Sequence, residues 1–107
     1  LQAALSWADS HAAAMDAALQ QWAGVCAAQG EVAWDLRRPR DFDAIGQAMR
    51  AEDVARSVFV SADPDAHAER LRELAALGPA EIHLHQVGPE QRGFIEKFGA
   101  AVLPQLR

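Results

Sequence analysis

The chain has 107 residues, half of them hydrophobic, and sets 15 carboxylates against 10 lysines and arginines for a formal net charge of −5. That length supplies one core and no second domain, so residues 1–107 read as a single partial domain. An acidic chain without a basic stripe excludes a phosphate-tracking nucleic-acid binder, and no apolar run reaches the roughly 18–20 residues of a membrane span.

Leu1, Ala3, Leu5 and Trp7 alternate with Gln2, Ala4 and Ser6, the period of a strand over 2–7. Asp9 or Ser10 then caps a helix near 10–29, whose stripe is Met15, Leu19, Trp22 and Cys26 and whose terminator is Gly30. Residues 31–40 read as an irregular connection, with Asp41 capping a short helix that carries Phe42, Ile45 and Met49. A turn from Ala51 to about Arg56 leads to the β-branched run Val58-Phe59-Val60, a candidate strand of only three residues. Asp63 as N-cap, Pro64 as first residue and Asp65 in the first turn open a helix over 63–77, with Leu71, Leu74 and Ala75 inward. Gly78 and Pro79 stop it. Strict alternation predicts a strand over 80–87, and Gly88-Pro89 introduces a last helix near 89–103 lined by Phe94, Phe98 and Val102.

The order strand, long helical crossover, strand, helix predicts an α/β protein with parallel strands in one sheet. Two strands are too few for a closed (β/α)8 barrel, which takes ~250 residues. The expected fold is therefore the C-terminal strand–helix units of a TIM-type barrel, incomplete in this chain. Leu1 in place of methionine agrees with a cut or processed chain, and no secretory leader opens it. One cysteine, Cys26, excludes an internal disulfide and a cysteine zinc site, and its apolar helical neighbours make it a buried structural thiol in a cytoplasmic protein.

From Ser61 onward the sequence resembles the C-terminal end of the luciferase-like flavin and deazaflavin oxidoreductases. The resemblance lies in Val58 to His67, in Ile82-His83-Leu84-His85, and in Phe98-Gly99-Ala100-Ala101-Val102-Leu103-Pro104. Leu5-Ser6-Trp7-Ala8, with the alanine-rich helix holding Gln21-Trp22, is similar to the family's seventh strand and its helix. The branch that comes nearest is that of the deazaflavin-dependent sugar-phosphate dehydrogenases. The resemblance implies a barrel that binds FMN or a deazaflavin and passes hydride to or from a small organic substrate, sometimes with oxygen as oxidant, as in the monooxygenases. Strands one to six of such a barrel have no counterpart here, so the chain alone is expected to be inactive and to hold no cofactor.

His85 lies toward the carboxyl end of its strand, the end that carries active sites in barrels, which makes it the candidate proton donor. His83 shares its face, and Ser6 and Trp7 end the first strand, so these three are candidates to face substrate or cofactor. Arg37, Arg38 and Arg40 form the only basic cluster and are the candidate phosphate-binding group, against the plainer reading of a solvated charge patch. His11 and His67 read as surface residues. A His-x-His pair without a third ligand gives no metal site. The expected partners are a small-molecule substrate and either copies of the chain or the remainder of a barrel. The alternative is a non-catalytic α/β homo-oligomeric module.

Overall fold

The computed structural model describes every residue from Leu1 to Arg107. Three strands, β1 (Gln2–Ser6), β2 (Phe59–Val60) and β3 (His83–Gln86), form one parallel sheet in the order β2-β1-β3. β1 pairs with β3 from Gln2↔His83 to Leu5↔Gln86 and with β2 at Leu5↔Phe59 and Ser6↔Val60. The two long alternating segments thus pair as expected. The short run at 58–60 adds a third strand, which corrects the count of two.

Helix α1 (His11–Ala27) starts at Ser10, whose hydroxyl accepts from the Ala13 N–H at 3.1 Å. Its buried residues are Ala14, Ala18, Ala23 and Cys26. The expected stripe of Met15, Leu19 and Trp22 is only half buried, because small alanines let the backbone sit nearer the strands than bulky side chains would. A short helix, α2 (Val32–Asp35), replaces the irregular connection expected there and leaves Trp34 88% exposed.

Helix α3 (Pro39–Gly46) begins two residues before the expected cap. Proline suits the first helical position because its missing N–H would have no partner there. Asp41 acts from inside the first turn, accepting the Arg38 N–H at 3.0 Å. Helix α3 lies tight on α1 at two glycines. A Cβ on Gly24 would stand 2.8 Å from the Phe42 carbonyl oxygen, and one on Gly46 would stand 2.8 Å from the Gly24 nitrogen.

After α4 (Ala51–Val54) and β2, helix α5 (Pro64–Ala75) follows its predicted start, with Asp63 accepting from the Asp65 N–H at 2.9 Å. Its buried residues are His67, Ala68 and Leu71, while Ala75 is exposed, so the inward face is rotated toward the N-terminus from the expected one. The C-terminal segment opens as α6 (Gln91–Gly93), widens through Phe94–Phe98, continues as α7 (Gly99–Val102) and tightens over Leu103–Leu106. Phe98 and Val102 bury their side chains, and Phe94 does so in part.

The two sheet faces carry separate cores. On one, Ala18, Ala23 and Cys26 of α1 meet Val54, Val58 and Val87. On the other, Ala68 and Leu71 of α5 meet Leu5, Phe98 and Val102. The chain runs from β1 to β2, then passes back across β1 to reach β3. This is a doubly wound arrangement with helices over both faces. The α/β class and the parallel sheet agree with the sequence-based expectation.

Candidate functional site

In open parallel sheets, ligands bind beyond the carboxyl ends of the strands, where neighbouring connections leave toward opposite faces. Here that point lies between β1 and β3. The segment after β1 leads into α1, and the segment after β3 leads into α6. Gln86, 4% exposed, joins the two. Its Oε1 accepts the Trp7 N–H at 3.0 Å, and its Nε2 donates to the Trp7 carbonyl at 2.9 Å. Gln91 Nε2 donates to the carbonyls of Gln86 and Gly88, which fixes the outgoing turn. Across the top, Lys97 Nζ reaches Asp9 Oδ1 at 3.2 Å, an exposed pair that adds little stability.

The structure brings Ser6 and Trp7 to this edge and separates them by role. Ser6 is fully buried and donates its hydroxyl to the Ala14 carbonyl at 2.7 Å, which ties β1 to α1. Trp7 packs against the core on the α5 side, and its indole Nε1 is buried without an acceptor. That orphan donor is the one unmatched polar atom of the edge.

Ile82 and Leu84 of β3 pack toward α5, as alternation requires, while His85 turns to the opposite face. There its ring lies edge-on to Trp22 of α1, with centroids 4.6 Å apart. His83 is exposed, and its Nε2 stands 3.1 Å from Glu81 Oε2. The three arginines lie elsewhere. Arg37 and Arg38 line a cleft of about 470 Å³ on the flank of α1, and Arg40 is exposed beside it.

His67, expected at the surface, is 1% exposed. Its Nε2 lies 2.9 Å from the Ser61 carbonyl, which makes Nε2 the protonated nitrogen. The ring stands edge-on to both Phe59 and Phe98, with centroids 5.0 and 5.1 Å away. Burial pushes its pKa below the ordinary histidine value, opposed by the Ser61 hydrogen bond and the nearby Asp63 charge. Its place four residues after the Asp63 cap and four before Leu71 was the available signal, since that spacing sets it on the stripe facing the sheet. No group of three or more His, Cys, Asp or Glu side chains is assembled as a metal site. No helix is long and apolar enough to cross a membrane.

No protein-family model matches the chain. Over 103 residues it is 29% identical to the F420-dependent glucose-6-phosphate dehydrogenase of Beutenbergia cavernae, a match taking in 96% of this chain and 30% of that protein. The F420-dependent glucose-6-phosphate dehydrogenase of Microbacterium testaceum is 30% identical over 95 residues, 86% of this chain and 28% of its own length. The protein of the same description from Nakamurella multipartita is 32% identical over 69 residues, 64% of this chain and 20% of its own. The chain is similar in sequence to these F420-dependent glucose-6-phosphate dehydrogenases. It spans less than a third of the length of these deazaflavin-dependent relatives.

Proposed function

We propose that this chain is one portion of a deazaflavin-dependent oxidoreductase that passes hydride between its cofactor and a small organic substrate. The observation that carries the reading is the match over 96% of the chain to an F420-dependent glucose-6-phosphate dehydrogenase. That relative's name makes a sugar phosphate the first substrate class to try, and F420 the first cofactor, ahead of FMN. In this reading β1 and β3 are the last two strands of a (β/α)8 barrel, paired directly with each other as consecutive barrel strands are.

The carboxyl edge fits a deazaflavin only as one wall of a pocket. Trp7 offers an aromatic surface and an unmatched N–H, but the three principal cavities open along the strands' amino ends, on the flank of α1 and beside β3. A bound deazaflavin would supply the two-electron chemistry, and this chain's residues would position and cover it. His85, the proposed proton donor, would first have to leave Trp22. Alone, the chain is inactive in this reading.

A second reading, a self-associating α/β module, draws on one feature. The free edge of β3 borders an apolar groove of about 210 Å³ lined by Leu71, Ile82, Leu84, Leu103 and Leu106. Unpaired strand edges beside apolar surface favour pairing with another chain.

A chimera separates the two readings. This chain replaces the matching segment of the Beutenbergia cavernae enzyme, and F420 binding and reduction with glucose 6-phosphate are measured. Retained binding and turnover support the oxidoreductase portion. A folded chimera that binds no F420 sinks it, and a dimer of the 107-residue chain by light scattering then favours the module.

A further inference from the structure

Successive residues of β1 turn their backbone groups to opposite sides. The carbonyls of Leu1 and Leu5 accept the N–H groups of His83 and Val87, whereas the carbonyl of Ser6 accepts that of Ser61. Odd-numbered residues here therefore bond toward β3 and even-numbered ones toward β2. β2 is shorter than β1 and begins at Phe59, opposite Leu5. Before that point the N–H and C=O of Gln2 and the N–H of Ala4 have no partner in the chain, and together they form a short unfilled length of strand edge.

A cavity of about 420 Å³ lies along this edge, with Ala3, Phe59, Leu71 and Leu74 in its walls. Alternation puts Ala3 on the same side of the sheet as Leu5, which packs with Leu71 of α5. A residue placed opposite Ala3 would thus turn its side chain into the cavity, whose volume falls within the range of small-ligand sites. The two arginines of the lining are neutralised, Arg70 by Glu73 at 2.8 Å and Arg56 by Asp53 at 3.6 Å. Residues 1–4 carry no charged side chain and no proline, the usual devices that close an edge to further strands.

We propose that this slot takes an extended, uncharged peptide segment as an added strand parallel to β1, with one apolar side chain opposite Ala3. In that direction the central residue repeats the relation of Phe59 to Leu5. Its N–H donates to the Gln2 carbonyl and its C=O accepts the Ala4 N–H, while the Gln2 N–H donates to the carbonyl two residues earlier. All three free groups are used. An antiparallel segment would aim one N–H at the Ala4 carbonyl, which the pairing of Leu5 with Phe59 already engages. Phe59 also sets the length, because it fills the place two residues on, and only about three residues fit before it. Main-chain bonds then supply affinity and the pocket selects the side chain. The inference concerns the edge of β1 and does not rest on the oxidoreductase reading.

The test is an NMR titration of the ¹⁵N-labelled 107-residue chain with the capped tripeptide acetyl-Ala-Leu-Ala-methylamide. Saturation is expected by about 10 mM, with amide shifts centred on Gln2, Ala4, Phe59 and Leu74. N-methylation of the peptide leucine deletes the donor to the Gln2 carbonyl and should weaken binding about fivefold or more. Gln2→Pro, which removes an N–H that has no partner in the chain, should do the same. Aspartate in place of the peptide leucine should weaken binding about tenfold or more. No saturation by about 10 mM, or unchanged affinity on N-methylation, overturns the strand slot. Equal binding of the aspartate peptide overturns the apolar pocket. Shifts confined to Ile82, Leu84 and Gln86 would put the added strand on the outer edge of β3 and overturn the assignment to β1. Concentration-dependent shifts of Gln2 and Ala4 without peptide would show that a second copy fills the slot, which overturns the peptide as its occupant.

Discussion

Gln86 holds both backbone polar groups of Trp7, a residue 79 positions away, with hydrogen bonds of 3.0 and 2.9 Å. The ladder between β1 and β3 ends at Leu5↔Gln86, so the glutamine amide stands in for one more pair of strand residues. An amide has a donor and an acceptor about as far apart as those of a peptide, which is why glutamine can do this where leucine could not. The result ties the carboxyl ends of two strands whose connections leave toward opposite faces.

Replacing Gln86 with Leu should cost about 2–4 kcal/mol. The backbone N–H and C=O of Trp7 would lose their partners, and each unsatisfied group costs roughly 1–3 kcal/mol where it is buried. Urea unfolding followed by tryptophan fluorescence measures the loss. A change below about 0.5 kcal/mol, the range of ordinary surface substitutions, would mean that water satisfies Trp7 and that the clamp is incidental.

Gly46→Ala should destabilise the fold by about 1–3 kcal/mol, the usual range for overpacking. The added carbon would meet Gly24 backbone atoms at 2.8 and 3.0 Å, and backbone cannot swing aside as a long side chain can. Gly30→Ala provides the comparison. Nothing lies within 4 Å of its Cβ position, so any cost there comes only from its φ of +61°. Equal thermal shifts for the two variants would show that the α1–α3 contact is looser than the geometry gives.

Much of this architecture was legible in the residues because each signal was local. Alternation placed β1 and β3, and the Asp63-Pro64-Asp65 cap placed the start of α5. Strand order was not legible. A parallel neighbour can sit on either side of β1, and the choice depends on which face each helix covers, a matter of packing across the whole chain. Of the expected stripe of α1 only Cys26 is fully buried, because alanines carry little hydrophobic weight in a periodic pattern yet supply the helix's other buried positions. His85 shows the same limit at the candidate site. Its strand and face followed from period two, but its partner, Trp22, lies 63 positions earlier on a helix whose rotation no local rule fixes.

Cys26 should resist modification in the native chain. Burial raises its thiol pKa, only partly offset by a hydrogen bond with Ser57, so thiolate is scarce as well as covered. Ellman's reagent should react slowly at pH 8 in buffer and rapidly in urea. Comparable rates in both would show that α1 opens readily or that the thiol is exposed.

Stability should fall as the solution is acidified through the histidine range, and His67 should be the main cause. The native state holds this ring neutral, since Nε2 donates to Ser61 and the faces and edges are enclosed by Phe59 and Phe98. Burial lowers its folded pKa below 6.5, whereas an unfolded histidine titrates near 6.5. Between those two values the unfolded chain binds more protons than the folded one. The stabilisation is therefore complete above about pH 7, declines as pH drops below the unfolded pKa, and is fully lost once the folded pKa is passed. Asp63 opposes the decline by favouring the protonated ring, but desolvation is the larger influence. His67→Phe keeps the aromatic packing and removes the titration. It should be less stable than the parent at pH 7.5, where the Ser61 carbonyl loses its donor, yet lose much less on going to pH 5.5. Urea midpoints of both chains at the two pH values decide the matter. Parallel declines would assign the acid sensitivity to other groups and leave His67 as a packing residue only.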